Sequence, residues 1–260
     1  MNKIKNATML LFLRPLMATA LFCIALSARG GIPERLKNGE NLTIAAIGTS
    51  LTDKNWNKGN GWFEQTGEWL NGLPYTGKVT LSNRAVCGSA SKTDSSTTDS
   101  RCGFLQLGDV LANDNPDAIF IEFAINDAYL PYKISLQGSK DNLQAMIREI
   151  RDWAGRQNNG KGKKVDIVVQ TMNNCSSIHA SQRPGLSAYY QGFREVVKAN
   201  PGVLLIDNYH NWLSLFDSQA DHSTWNSYVP DGIHPNANGA RNIILPAVQK
   251  ALNSQIEINS

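Results

Sequence analysis

Leu42-Thr43-Ile44-Ala45-Ala46-Ile47-Gly48-Thr49-Ser50-Leu51-Thr52 is the stretch on which the fold turns. Six apolar or β-branched residues run into Gly48 with no charge among them. A short run of this kind, bounded by turn residues, fits a strand buried on both faces, as in a parallel sheet. Outward from it the pattern alternates. Trp62, Phe63, Thr66, Trp69 and Leu70 fall at helical spacing, and Val79–Leu81 is a second strand candidate. A helix over Phe104–Leu111 precedes a buried strand at Ala118–Phe123. Leu143, Met146, Ile147, Ile150 and Trp153 mark an amphipathic helix, followed by a strand at Val165–Val169. A helix over Tyr189–Val197, a fifth strand at Val203–Ile206 and a last helix over Ala237–Leu252, bent near Pro246, complete the series. Strands alternating with helices imply a five-stranded, mainly parallel sheet in a three-layer α/β/α sandwich. No repeat, low-complexity block or linker divides residues 29–260, so they read as one domain.

The first 28 residues differ. Lys3 and Lys5 precede apolar runs over Met9–Leu13 and Leu16–Leu26, and the small residues Ala25, Ser27 and Ala28 close the segment. That order fits a secretory signal peptide, and the apolar run is shorter than the roughly 20 residues of a membrane span. An uncleaved anchor is the alternative. The expected location is secreted or periplasmic. Cleavage would remove Lys3, Lys5 and Arg14, and the formal charge would fall from +3 to 0. A neutral chain offers no electrostatic case for nucleic acid or anionic membrane as partner. Export also exposes Cys87, Cys102 and Cys175 to an oxidising compartment, where a Cys87–Cys102 disulfide could close the polar loop between them. Burial of all three as small hydrophobic residues is the alternative.

In such a sheet, ligands bind beyond the carboxyl ends of the strands. Ser50 follows the first strand there, where surrounding N–H groups could face an oxyanion. Taken alone, it reads first as a loop serine capping a helix. Ala124-Ile125-Asn126-Asp127 follows the third strand and offers a side-chain amide, although Asn-Asp also suits a plain turn. Gly88, after the second strand, lets its backbone N–H approach a ligand unobstructed. Asp231-Gly232-Ile233-His234-Pro235 places a carboxylate three residues before an imidazole, ahead of the terminal helix. Asp231 could fix the tautomer while His234 takes the serine proton. Asp207 and His210 repeat this spacing after the fifth strand and stand as a rival pair.

These four segments, in this order, resemble the SGNH hydrolases, the GDSL-like lipases and esterases. The resemblance covers about residues 42–252. It implies a flavodoxin-like sandwich, a Ser50–His234–Asp231 triad, and an oxyanion hole from the Ser50 and Gly88 N–H groups and the Asn126 side chain. It implies no metal or organic cofactor, and His179, His210 and His222 show no ligand spacing. Thr49 and Ala124 depart from the aspartate and glycine that the family often has there. The expected activity is a secreted serine esterase acting on acetylated carbohydrate. Its substrate would be gripped by aromatic residues near the blocks: Trp56, Trp62, Tyr129 and Trp225, with Tyr132 and Tyr228 also nearby. About half of these aromatics are expected in the core instead. A lipase, arylesterase or thioesterase is the enzymatic alternative, and a catalytically silent glycan-binding protein the non-enzymatic one.

Overall fold

β1 spans Leu42–Gly48, β2 Val79–Asn83, β3 Ala118–Glu122, β4 Asp166–Thr171 and β5 Val203–Asp207 in the computed structural model, which describes residues 31–92, 101–216 and 222–257. The expected leader lies outside the described residues. All four pairings are parallel, in the order β2-β1-β3-β4-β5. Every residue of β3 and all of β1 except Thr43 are buried, as a sheet covered on both faces requires.

Helix Leu245–Glu257 packs against Ile32–Lys37 and Trp62–Gly72, and helix Leu136–Gly160 packs against Gly103–Asn113 and Leu186–Lys198. Right-handed crossovers put the two groups on opposite faces of the sheet. Trp62 and Phe63 open their helix with both rings inward, 5.7 and 5.8 Å from Phe120 of β3. Asn236 caps the C-terminal helical run, its Oδ1 accepting the Gly239 N–H at 2.9 Å. The bend expected near Pro246 is a π-helical turn over Ala240–Ile244. Proline lacks an N–H, and a widened turn just before it accommodates the missing bond. No helix among the described residues is long and apolar enough to cross a membrane.

From β1 the chain passes to β2 on one side, and it later enters β3 on the other. The crevice between the carboxyl ends of β1 and β3 is therefore the switch point at which open α/β sheets bind ligands. Charge at the opposite pole is structural: Arg35, buried, joins Glu40, Asp117 and Asp166 at 3.0–3.3 Å and fastens the amino ends of the strands. Of the two alternatives for the cysteines the structure has free thiols: Cys87, Cys102 and Cys175 are all unpaired. Cys102 is buried and pairs its backbone with Ala90 instead.

Candidate active site

Gly48 ends β1, and the chain folds at once into a tight turn in which the Thr52 and Asp53 N–H groups donate to Thr49 O at 3.0 and 2.9 Å. The turn rests on Glu122, the last residue of β3. One carboxylate oxygen, Oε2, accepts the Thr49 N–H (3.2 Å), the Thr49 hydroxyl (2.8 Å) and the Thr52 hydroxyl (3.2 Å). Burial pushes this carboxyl up to about 8 against the pull of the threonine donors. An aspartate at position 49 would set a second carboxylate against it, so threonine suits this frame.

Ser50 Oγ lies 2.8 Å from His234 Nε2, and His234 Nδ1 lies 2.6 Å from Asp231 Oδ2. A carboxylate only accepts, so Nδ1 carries the proton and Nε2 is left to receive the serine hydrogen. Asp231 Oδ1 accepts the backbone N–H groups of Ile233 (3.0 Å) and His234 (2.8 Å), closing the loop on itself. The loop is also fastened from the β4 side. Asn173 donates to Ile233 O at 2.9 Å, the Ser176 N–H to Gly232 O at 2.8 Å and His179 Nε2 to Asp231 O at 3.0 Å. Gly232 has φ +83°, and Ser176 occupies the space a side chain would need. Burial holds the His234 imidazole below its ordinary range, although the bond and charge of Asp231 pull it upward. Burial would also raise Asp231, yet the N–H donors of His234 and Ile233 keep it below the usual carboxylate range. Asp207 and His210 form an equally short pair, 2.6 Å. Asp207 ends the edge strand β5 and His210 lies in the helix that follows, Asn208–Phe216, and Asp207 also accepts from Thr171 and Arg194. The structure brings His234, not His210, to Ser50.

Gly88 adopts φ +78°, which glycine favours. Its carbonyl accepts the Tyr132 hydroxyl at 2.6 Å, and the Cys87 N–H beside it donates to the buried Asp53 at 2.7 Å. Among the described residues no acceptor takes the backbone N–H of Ser50 or of Gly88. Ala124–Asp127 is a single helical turn, not the plain turn its composition also allowed. Asn126 Nδ2 donates to Ser89 O at 2.8 Å. Asp127 is a tie: it accepts the Ser91 N–H (2.8 Å) and the Ser139 hydroxyl (2.5 Å), and burial pushes its carboxyl up to about 6.

The aromatic residues divide. Trp56 is 48% exposed with its ring 4.7 Å from the His234 ring, and Tyr129 and Tyr132 meet edge to face at 5.2 Å, both half-buried. Trp62 and Trp225 are corrected to core positions, because both are fully buried. Their indole N–H groups donate to Thr52 and Asn174, so they brace the site from behind. Tyr228 packs on Trp212 and Phe216. Sequence reasoning missed the supports Asp53, Glu122 and Arg183. An acidic residue inside the apolar run Ala118–Phe123 was a signal for Glu122, whereas nothing local singles out Arg183. Among the described residues no group of His, Cys, Asp or Glu could hold a metal ion.

A hydroxyl, an imidazole and a carboxylate in hydrogen-bonded series, beside unspent N–H donors at a switch point, make an arrangement suited to acyl transfer through a serine. The sequence model of the GDSL-like Lipase/Acylhydrolase family matches residues 46–241, and the chain belongs to that family of hydrolases. Solved structures share its fold at low identity. An acetylxylan esterase, Axe2, from Geobacillus stearothermophilus is 16% identical, with a TM-score of 0.59 over 83% of this chain and 96% of its own. TesA is 16% identical with a TM-score of 0.58, over 82% and 99%. A carbohydrate acetylesterase family member from Sinorhizobium meliloti is 16% identical with a TM-score of 0.56, over 82% and 99%. No curated protein sequence matches the chain.

Proposed function

We propose that the protein is an exported serine esterase that hydrolyses carboxylic esters through Ser50, His234 and Asp231, with O-acetyl groups on carbohydrate as its substrate class. The observation that carries the reading is the unbroken series from Ser50 Oγ through His234 to Asp231, at 2.8 and 2.6 Å, beside the unspent N–H groups of Ser50 and Gly88. His234 removes the Ser50 proton as Oγ attacks the ester carbonyl. The oxyanion draws on the Ser50 and Gly88 N–H groups and the Asn126 amide, each such donor being worth roughly 10²–10³ in rate. His234 then protonates the leaving alcohol, and a water repeats the sequence to release the acid. The base must be neutral, and burial of His234 favours its neutral form.

Three features support a sugar ester. Trp56 offers an open ring face against His234, where a pyranose could stack. Tyr129 and Tyr132 flank the Gly88 side. Two proteins that share the fold are an acetylxylan esterase and a carbohydrate acetylesterase family member. The basic, then apolar, then small-residue leader supports export. A second reading, an esterase or thioesterase for apolar acyl chains, is favoured by Leu130 and Ile178, which are 59% and 76% exposed. They belong to segments that touch Tyr129 and the Asp231 loop.

The test is acetate release from acetylated polysaccharides, beside short and long p-nitrophenyl esters, for the wild type and Ser50→Ala. Serine-dependent acetate release from a glycan is the expected result. Cleavage of long-chain esters alone would favour the second reading, and glycan binding without turnover would favour a silent binding protein.

A further inference from the structure

We propose that Arg183 is a positioning residue that fixes the orientation of the Asn126 amide, so that its second N–H points into the oxyanion pocket; this rests on the esterase reading above. The two ends of a carboxamide are alike in shape and opposite in chemistry. On one side of Asn126 stands Ser89 O, which can only accept, 2.8 Å from Nδ2. On the other stands Arg183 Nη2, which can only donate, 3.3 Å from Oδ1. Rotating the amide by half a turn would replace two hydrogen bonds with two repulsions. With one Nδ2 hydrogen spent on Ser89 O, the other is left for the ester oxygen.

Arg183 is itself rigidly held. Its Nε donates to Ile125 O at 2.9 Å, its backbone N–H to Ala180 O at 2.9 Å, and its guanidinium lies 4.6 Å from the centre of the Tyr129 ring. The side chain is buried, yet it makes no ion pair with a described carboxylate, and its Nη1 has no acceptor among the described residues. A buried guanidinium without a counter-charge is costly to fold around. Ion-pair stability does not account for it, whereas a flat, two-pronged donor behind the amide does.

A residue that acts through Asn126 leaves a signature in a double-mutant cycle that a merely structural residue does not. Steady-state kinetics on p-nitrophenyl acetate are measured for Arg183→Met, Arg183→Lys, Asn126→Ala and the Asn126→Ala/Arg183→Met pair, with thermal midpoints as a folding control. Asn126→Ala should lower kcat by roughly 10²–10³. Arg183→Met should lower kcat by about 10-fold or more and leave KM nearly unchanged, since a misaimed donor is felt mainly in the transition state. Arg183→Lys keeps the charge without the fork and should show most of the same loss. In the Asn126→Ala background Arg183→Met should change kcat by less than about twofold. An equal loss in both backgrounds, or wild-type kcat in Arg183→Met, would overturn the proposal. If Arg183→Met does not fold, Arg183→Lys carries the same comparison in both backgrounds. Wild-type kcat in Asn126→Ala would overturn the oxyanion assignment and this inference together, whereas failure of Arg183 alone leaves the esterase reading standing.

Discussion

A single methyl group at Gly232 should disable the relay without altering Asp231, His234 or Ser50. The residue sits at φ +83°, where alanine costs roughly 1–2 kcal/mol relative to its preferred regions. A Cβ there would run into Ser176 Oγ and come within 2.8 Å of Ser176 Cβ and 3.2 Å of His179 Cδ2. Rotation about χ1 would clear Ser176 Oγ but not its Cβ, because the Ser176 backbone N–H donates to Gly232 O at 2.8 Å, a bond worth about 1 kcal/mol. Together these predict a loss of about 2–3 kcal/mol, or a thermal midpoint lower by about 5–10 °C in a chain of this size. The larger effect is on turnover. Displacing the 231–234 loop by about 1 Å moves Nε2 off Ser50 and should cost about 10² in kcat/KM. The assay is kcat/KM on p-nitrophenyl acetate together with the midpoint, for Gly232→Ala and for Gly232→Ala with Ser176→Gly. The second change removes the obstructing side chain but leaves the backbone strain, so activity should return to within about 10-fold while part of the stability loss stays. Full activity and an unchanged midpoint in Gly232→Ala would refute the claim that this loop is held by shape.

Three further outcomes follow from the same frame. His234 is held below its ordinary range chiefly by burial and must be neutral to act, so log kcat/KM should stay flat down through pH 6.5 and bend only below it. Glu122 binds its proton more tightly folded than unfolded, so its contribution to stability is complete below its ordinary value of 4.5 and is lost as pH rises through about 8. Asp127, raised only to about 6, has finished titrating by then. Between pH 6.5 and 8, stability should therefore fall by up to about 1.4 kcal/mol per pH unit, and Glu122→Gln should flatten that slope in midpoints measured across the range. Trp56→Ala should raise KM for an acetylated oligosaccharide by about 10-fold and leave p-nitrophenyl acetate nearly unaffected. Equal effects on both substrates would remove Trp56 from the sugar site.

The strands were legible because burial on both faces leaves unbroken apolar runs, and β1 and β3 lie within a residue of where those runs end. The candidate site was legible as far as strand ends could reveal it, since Ser50, Gly88 and Asn126 lie two, five and four residues past the ends of β1, β2 and β3. Spacing alone does not choose His234 over His210, since both pairs have the same i,i+3 geometry; in the sequence only the lead of the Asp231 loop into the terminal helix favours it, and in the structure the 2.8 Å contact with Ser50 separates them. Trp62 and Trp225 misled because an aromatic beside a loop looks the same from the sequence whether its ring turns outward or inward. Arg183 was invisible for a related reason, because it meets Asn126 from 57 residues away and nothing around it in sequence marks a buried guanidinium.

The central claim is that Ser50 is the nucleophile, and active-site labelling tests it most directly. The protein is treated with a fluorophosphonate, which phosphonylates an activated serine, and the adduct is located by peptide mass spectrometry. The account predicts one stoichiometric adduct on Ser50, slowed by several orders of magnitude in His234→Ala and absent in Ser50→Ala. An adduct on another residue, or a Ser50→Ala variant that still labels and still releases acetate, would contradict it.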